Sequence, residues 1–226
     1  MTNEVSLVVF DCDGTLVDSQ QVIADTMAHA YQALGFEPPQ RELVKRITGL
    51  SLEVAIGQLS PKMTDQNCTD IAAAYRDRFH HLRRLGAIDE PLYPHVRETI
   101  QALDETGHVM GIATGKGIRG LNHVLETHDL GNYFTTLQTP DVAPGKPHPG
   151  MLENAMDATG AYAANSFMIG DTTFDIEMAV NAGVRSVGVS WGYHTVQELE
   201  AAGADRIIDS LAQLPAVIQE MQGESA

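Results

Sequence analysis

The chain has 226 residues, 43% of them hydrophobic, and a formal net charge of −16. At roughly 100–200 residues per domain, that length allows one large domain or a domain with a smaller companion. The acidity leaves no positive footprint for nucleic acid and reads as a solubility feature. Two cysteines, Cys12 and Cys68, make no disulfide framework. The nine histidines are scattered and show no zinc-ligand spacing. No run of about 18 apolar residues suggests a membrane span. No basic region leads into an apolar run near the N-terminus, as a secretory signal would. A soluble cytoplasmic protein is expected; nothing in the sequence speaks to oligomeric state.

Residues 5–10, Val-Ser-Leu-Val-Val-Phe, form a short β-rich run that predicts a buried strand ending at Asp11. A helix is expected from about Ser19 to Leu34, with Ile23, Met27, Tyr31 and Leu34 at helical spacing. Pro38-Pro39 ends that pattern, and shorter helical pieces run to about Leu59. Ile71, Tyr75, Phe79, Leu82 and Leu85 mark a longer amphipathic helix. No strand is evident between about Asp18 and Pro91. After Tyr93-Pro94 a helix to Thr106 leads into a strand, His108 to Thr114. Further strands are expected near Thr135–Thr139, Ser166–Gly170 and Arg185–Val189, with helices between them. Capping-box patterns at Thr195–Glu198 and Ser210–Gln213 place two late helices around a short strand near Ile207. The tail from Gln222 is expected to fray. Alternation of strands and helices argues for an α/β fold with a parallel doubly wound sheet. The all-helical stretch reads as an insertion after the first strand.

Open parallel sheets bind ligands beyond the carboxyl ends of their strands. The residues there are Asp11-Cys-Asp13-Gly-Thr-Leu, Thr114-Gly-Lys116, Gly145-Lys146-Pro-His148 and Gly170-Asp171-Thr-Thr-Phe-Asp175. Carboxylates, two lysines and a threonine at successive strand ends suit a metal and a phosphate. Mg²⁺ takes oxygen ligands, and Asp11 and Asp171 could supply two. A carboxylate can attack phosphorus. A second carboxyl, here Asp13, can protonate the leaving oxygen and then activate water. Lys146, Thr114 and backbone N–H groups near Gly115 could neutralise the transferring oxygens. Each part also has a plainer reading. Asp-Gly is often a turn, Thr114 could cap a helix, Lys146 could be solvated, and Asp171 and Asp175 could serve a helix dipole. The plainer readings must all hold at once, at four strand ends.

These four segments, in this order and spacing, resemble the motifs of the haloacid dehalogenase-like hydrolase superfamily. The resemblance covers nearly the whole chain. It implies a Rossmann-like core from residues 1–17 and 94–226 with a helical cap from 18–93. It implies a Mg²⁺-dependent phosphatase acting on a small phosphorylated metabolite through an aspartyl-phosphate. Asp11 would be the nucleophile and Asp13 the general acid/base. Asp11, Asp171 and the main-chain carbonyl of Asp13 would hold Mg²⁺, with Asp175 a ligand or a partner behind the ligands. Thr114, Gly115 and Lys146 would bind phosphate. The cap is most similar to that of phosphoglycolate phosphatase-like members, and Arg46, Leu50 and Ser51 are its candidate selectivity positions. Two residues depart from the pattern: His95 stands where glycine is frequent, and His148 where a smaller residue is common.

Other readings compete. Gly115-Lys-Gly117-Ile-Arg-Gly120 matches a dinucleotide-binding fingerprint, with Asp141 as the ribose-binding acid. It leaves the aspartate-bearing strand ends at Asp11 and Asp171 unexplained. Gly188-Val-Ser190-Trp-Gly192 matches a serine-hydrolase elbow, but the last histidine, His194, follows too closely. A sugar-phosphate mutase or a phosphonatase would share the fold. The cap loop Gly49-Leu-Ser51-Leu52 lacks a basic residue, and Lys45 and Lys62 are the only lysines in the cap. The first point favours hydrolysis over a mutase; a phosphonatase would need a cap lysine for a Schiff base, so Lys45 and Lys62 leave that reading open.

Overall fold

The computed structural model describes residues 5–224. Six parallel strands form one sheet: β1 (Leu7–Phe10), β2 (Val109–Ala113), β3 (Phe134–Gln138), β4 (Ser166–Gly170), β5 (Arg185–Val189) and β6 (Arg206–Ile208). Their order is β3-β2-β1-β4-β5-β6. The chain therefore winds outward on one side of β1 and then, from β4, on the other. The crevice at such a reversal is where α/β sheets bind ligands. Asp11 follows β1 and Asp171 follows β4, so these two aspartates flank it.

Side chains alternate across each strand, and β1 feeds both layers. Val8 and Phe10 join the core beneath helices α5 (Val96–Glu105), α6 (Ile118–Thr127) and α10 (Leu214–Gly223). Leu7 and Val9 join the opposite core with α7 (Gly150–Thr159) and α8 (Thr173–Ala182). A strand buried on both faces reads as a continuous apolar run, as β1 does. Helix α9 (Val196–Ala202) starts with the Thr195–Glu198 capping box. The Ser210–Gln213 box opens a short 3-10 turn that leads into α10. Because α10 includes Gln222 and Gly223, fraying does not begin at Gln222; Ser225 and Ala226 lie outside the described residues.

Four helices, α1 (Gln20–Ala33), α2 (Arg41–Ile47), α3 (Leu52–Leu59) and α4 (Asp65–Arg84), enclose a separate core. Its buried members include Ile23, Met27, Tyr31, Val44, Ile56 and Ile71. Leu85 was expected on the apolar stripe of α4. It lies just past the helix end and is exposed, because the chain turns away there. The segments joining this bundle to the sheet run side by side. Val17 and Leu92 form an antiparallel bridge, and the Asp18 N–H donates to the Pro91 carbonyl.

His95 immediately precedes α5 with φ of 66°. That left-handed conformation favours glycine, which accounts for glycine being frequent at this position. His148 sits before α7, where its Nδ1 accepts from the Gly150 N–H. His148 thus has a local use, whereas His95 holds its left-handed conformation without the freedom of glycine.

Candidate active site

The first turn after β1 is tight. The Leu16 and Val17 N–H groups both donate to the Cys12 carbonyl, which brings Asp11 and Asp13 to the carboxyl edge of the sheet. Asp11 is fully buried. Its Oδ1 accepts from the Cys12 N–H at 2.7 Å and pairs with Lys146 Nζ at 2.9 Å. Its Oδ2 is buried with no hydrogen-bond partner among the described residues. An orphaned carboxylate oxygen is costly in a dry interior and points to a missing cation or ligand.

Asp171 and Asp175 complete the cluster. One oxygen from each of Asp11, Asp171 and Asp175 lies within 4.8 Å of the others. Asp171 accepts from Thr15 Oγ1 at 2.9 Å and from the Tyr193 N–H at 2.8 Å. Asp175 pairs with Lys146 at 2.5 Å through Oδ1, and its Oδ2 closes a capping box with Thr172. Three carboxylates against one ammonium leave a deficit of positive charge that a divalent cation fits. The electrostatics agree. Burial raises the Asp11 carboxyl to about 7, despite opposition from Lys146. Burial, with Asp11 and Asp175 close by, raises Asp171 well above the carboxylate range. Burial alone would lower the Lys146 ammonium, but Asp11 and Asp175 outweigh it and hold it raised.

Asp13 stands apart from that cluster. It accepts from Ser19 Oγ at 2.6 Å and pairs with Lys116 Nζ at 2.9 Å. Lys116 is also bound to Glu90 at 2.8 Å. Burial would lower the Lys116 ammonium, but Asp13 and Glu90 prevail and raise it. Ser19 Oγ also lies 3.2 Å from the Tyr193 hydroxyl. Thr114 is buried, and its Oγ1 accepts from the Lys116 N–H at 3.2 Å. It caps no helix, since α6 begins only at Ile118.

A cavity of about 480 Å³ opens between the helical bundle and the sheet. Asp13, Gly115 and Lys116 form its floor and Leu50 is part of its wall; Ser51 and Arg46 do not line it. Ser51 instead packs where a methyl on Gly145 would lie, at 3.3 Å. Arg46 pairs with Glu198 of α9 at 2.5 Å, and its carbonyl lies 3.0 Å from His194 Nε2. His194 Nδ1 in turn accepts from the Thr173 N–H. These contacts tie the bundle to the sheet layer.

The competing motifs dissolve in this geometry. A methyl on Gly115 would come within 2.6 Å of the Leu50 carbonyl, so that glycine admits the bundle's loop. Asp141 caps α6, its Oδ2 accepting from the Ile118 N–H at 2.8 Å. A methyl on Gly192 would come within 2.6 Å of Asp171 Cγ, so that glycine makes room for the carboxylate.

A family model for haloacid dehalogenase-like hydrolases matches residues 8–189. The chain belongs to that family. It is 36% identical over 210 residues to a probable phosphatase, IndB, of Dickeya dadantii, covering 92% of this chain and 91% of that one. It is 34% identical over 220 residues to a phosphoglycolate phosphatase of Vibrio parahaemolyticus, covering 95% and 96%. A crystal structure of a predicted phosphatase from Clostridium acetobutylicum superposes with a TM-score of 0.85 at 23% identity, over 96% of this chain and 100% of that one. The sheet, its flanking helices and the motif order of this haloacid dehalogenase-like hydrolase agree with the sequence reading, and its enzyme class is phosphatase. Among the described residues no helix is long and apolar enough to cross a membrane.

Sequence reasoning assigned no site role to Glu90, Ser19 or Tyr193, and it weighed Lys116 and His194 only within other motifs. Lys116 lies in a strand-end segment and Ser19 six residues from Asp13, so for these two a signal was available. Glu90 and Tyr193 carried none.

Proposed function

We propose that this hydrolase is a Mg²⁺-dependent phosphatase of the cytoplasm that cleaves a small phosphomonoester through an aspartyl-phosphate on Asp11. The observation that carries the reading is the Asp11 carboxyl: one oxygen is held by Cys12 and Lys146, and the other is buried and unpartnered beside Asp171 and Asp175.

Asp11 attacks phosphorus in line with the leaving oxygen. The phosphorus–oxygen ester bond breaks, and Asp13 gives its proton to the departing alkoxide. Asp13, now a carboxylate, takes a proton from water as that water attacks the phosphoryl group. The bond to Asp11 breaks, phosphate leaves, and both carboxyls return to their starting states. Lys146, Thr114 and the Gly115 N–H hold the non-bridging oxygens. Asp11, Asp171 and the Asp13 carbonyl would hold Mg²⁺, which would supply positive charge to the transferring oxygens. Asp175 orients Lys146 and stands beside Asp11 and Asp171 as a ligand or a partner behind the ligands. Residues 18–93 serve as the cap that excludes bulk water, and the paired segments at Val17 and Leu92 act as its hinge. Leu50 touches the leaving group, Ser51 steadies the lysine loop, and Arg46 latches the cap.

The test is phosphate release from a panel of phosphoesters, including phosphoglycolate and pyrophosphate, with Mg²⁺ and then with EDTA. The Asp11→Asn variant should lose about 10³-fold or more in kcat while melting normally. Near-normal turnover by that variant would remove Asp11 as nucleophile.

A further inference from the structure

The cavity is larger than a two-carbon leaving group needs. Its volume of about 480 Å³ falls in the range of sites that hold a drug-sized ligand, roughly 300–1,000 Å³. Asp13 borders it, whereas Asp11, Asp171 and Lys146 do not. The cavity therefore lies on the leaving-group side of the scissile bond. Its lining mixes apolar and aromatic side chains, among them Ile23, Met27, Leu52, Tyr75 and Phe79, with charged ones.

The charged groups are unequally matched. Three acids line the space, and each is engaged: Asp13 by Lys116, Glu53 by Arg76, and Asp141 by the Ile118 N–H and Thr139. Two cations are left over. Arg83 of α4 and Arg119 of α6 form no ion pair among the described residues, in a chain with more than twice as many acids as bases. They approach from opposite layers. The Arg83 guanidinium lies 3.9 Å from where a methyl on Gly120 would sit, next to Arg119 in α6. Arg119 lies 3.5 Å from Nε2 of His80, a cavity-lining residue one turn before Arg83 on α4. Arg83 Nε is buried without a hydrogen-bond partner among the described residues. The guanidinium of Arg83 is thus short of acceptors at the edge of the cavity.

We propose that Arg83 and Arg119 form an anion subsite, so that the substrate is a phosphomonoester whose leaving group carries a second anionic group across an apolar or aromatic body. This rests on the phosphatase reading above and specifies the substrate class. Guanidinium forks bind carboxylate and phosphate alike, through paired charge-assisted hydrogen bonds. The second anion is therefore a carboxylate or a phosphate.

Matched esters test the subsite. We compare 4-ethylphenyl phosphate with 4-(2-carboxyethyl)phenyl phosphate, whose leaving phenols differ little in acidity. A third ester carries a phosphonate in place of the carboxylate and shows which anion is preferred. The quantity read is the ratio of kcat/KM between the anionic and neutral esters within each protein. The native enzyme should prefer an anionic ester by about tenfold or more, the scale of one charged hydrogen bond. Arg83→Met and Arg119→Met should each cut that ratio, and the double variant should bring it close to one. Arg83→Lys should keep part of it. A native ratio near one, or a preference that survives in the double variant, would overturn the subsite while leaving the phosphatase reading intact. If no ester is hydrolysed with Mg²⁺, the phosphatase reading fails and takes the subsite with it.

Discussion

Lys116 joins Asp13 and Glu90 at 2.9 and 2.8 Å, in a place where all three side chains are under a tenth exposed. Lys116→Met keeps an unbranched apolar stem of nearly the same length while removing the ammonium, and with it the contact over the Phe79 ring. Two buried carboxylates then face each other without a cation. Removing one partner of a buried pair costs about 3–5 kcal/mol, because the remaining charge stays desolvated. Here two charges are stranded, which argues for the upper part of that range. For a chain of this size each kcal/mol moves Tm by about 2–4 °C, so a fall of about 6–20 °C is expected. Differential scanning calorimetry would measure it. Adding Glu90→Gln relieves the repulsion, so the double variant should regain part of the lost Tm. Such non-additivity is expected of groups in one network. Turnover should fall in both variants, because Asp13 loses a group that orients it. A Tm loss under about 3 °C, or strict additivity with Glu90→Gln, would refute the view that Lys116 neutralises this buried pair.

Mg²⁺ should stabilise the protein in a pH-dependent way. Burial raises the Asp11 carboxyl to about 7 and raises Asp171 as well, so the metal-free folded state keeps protons that the unfolded chain has lost. Stability of the metal-free protein therefore falls as pH climbs from about 4 to about 7. A cation reverses that cost where the carboxylates are ionised. The Tm gain from Mg²⁺ should be larger at pH 8 than at pH 6, and equal gains at both would contradict the assigned cluster. His95 stands at φ of 66°, a strain of about 1–2 kcal/mol for a residue with a side chain. His95→Gly should recover up to about 1 kcal/mol after the entropy cost of glycine, visible as a raised Tm; a lowered Tm would show that the imidazole contributes more than the strain costs.

The strand ends could be read from sequence because each depends on a short local signal. An apolar run sets the strand, the strand sets the edge of the sheet, and the next residue falls in the crevice. Ser166–Gly170 and Arg185–Val189 match their expected bounds for that reason, and Asp11 and Asp171 fall beyond the edge. The ties around Asp13 could not be read this way. Glu90 lies between the helical bundle and the sheet, and it meets Lys116 only after the two segments at Val17 and Leu92 pair. Arg83 and Arg119 belong to helices in different layers, so their meeting depends on how the bundle settles on the sheet.

The two false motifs show the same limit from the other side. A dinucleotide fingerprint and a serine elbow both use glycine to let a backbone come close to something. In this chain the close approach is real, but its partner is internal. Gly115 faces the Leu50 carbonyl, and Gly192 faces the Asp171 carboxylate. A glycine spacing records that space is needed at a strand end without recording what fills it. The carboxylates decide the matter, because a buried charge demands a partner that only particular chemistry supplies. Asp11, with one oxygen held by Lys146 and the other without a partner among the described residues, suits the cation and phosphoryl group proposed above better than a dinucleotide or an acyl group.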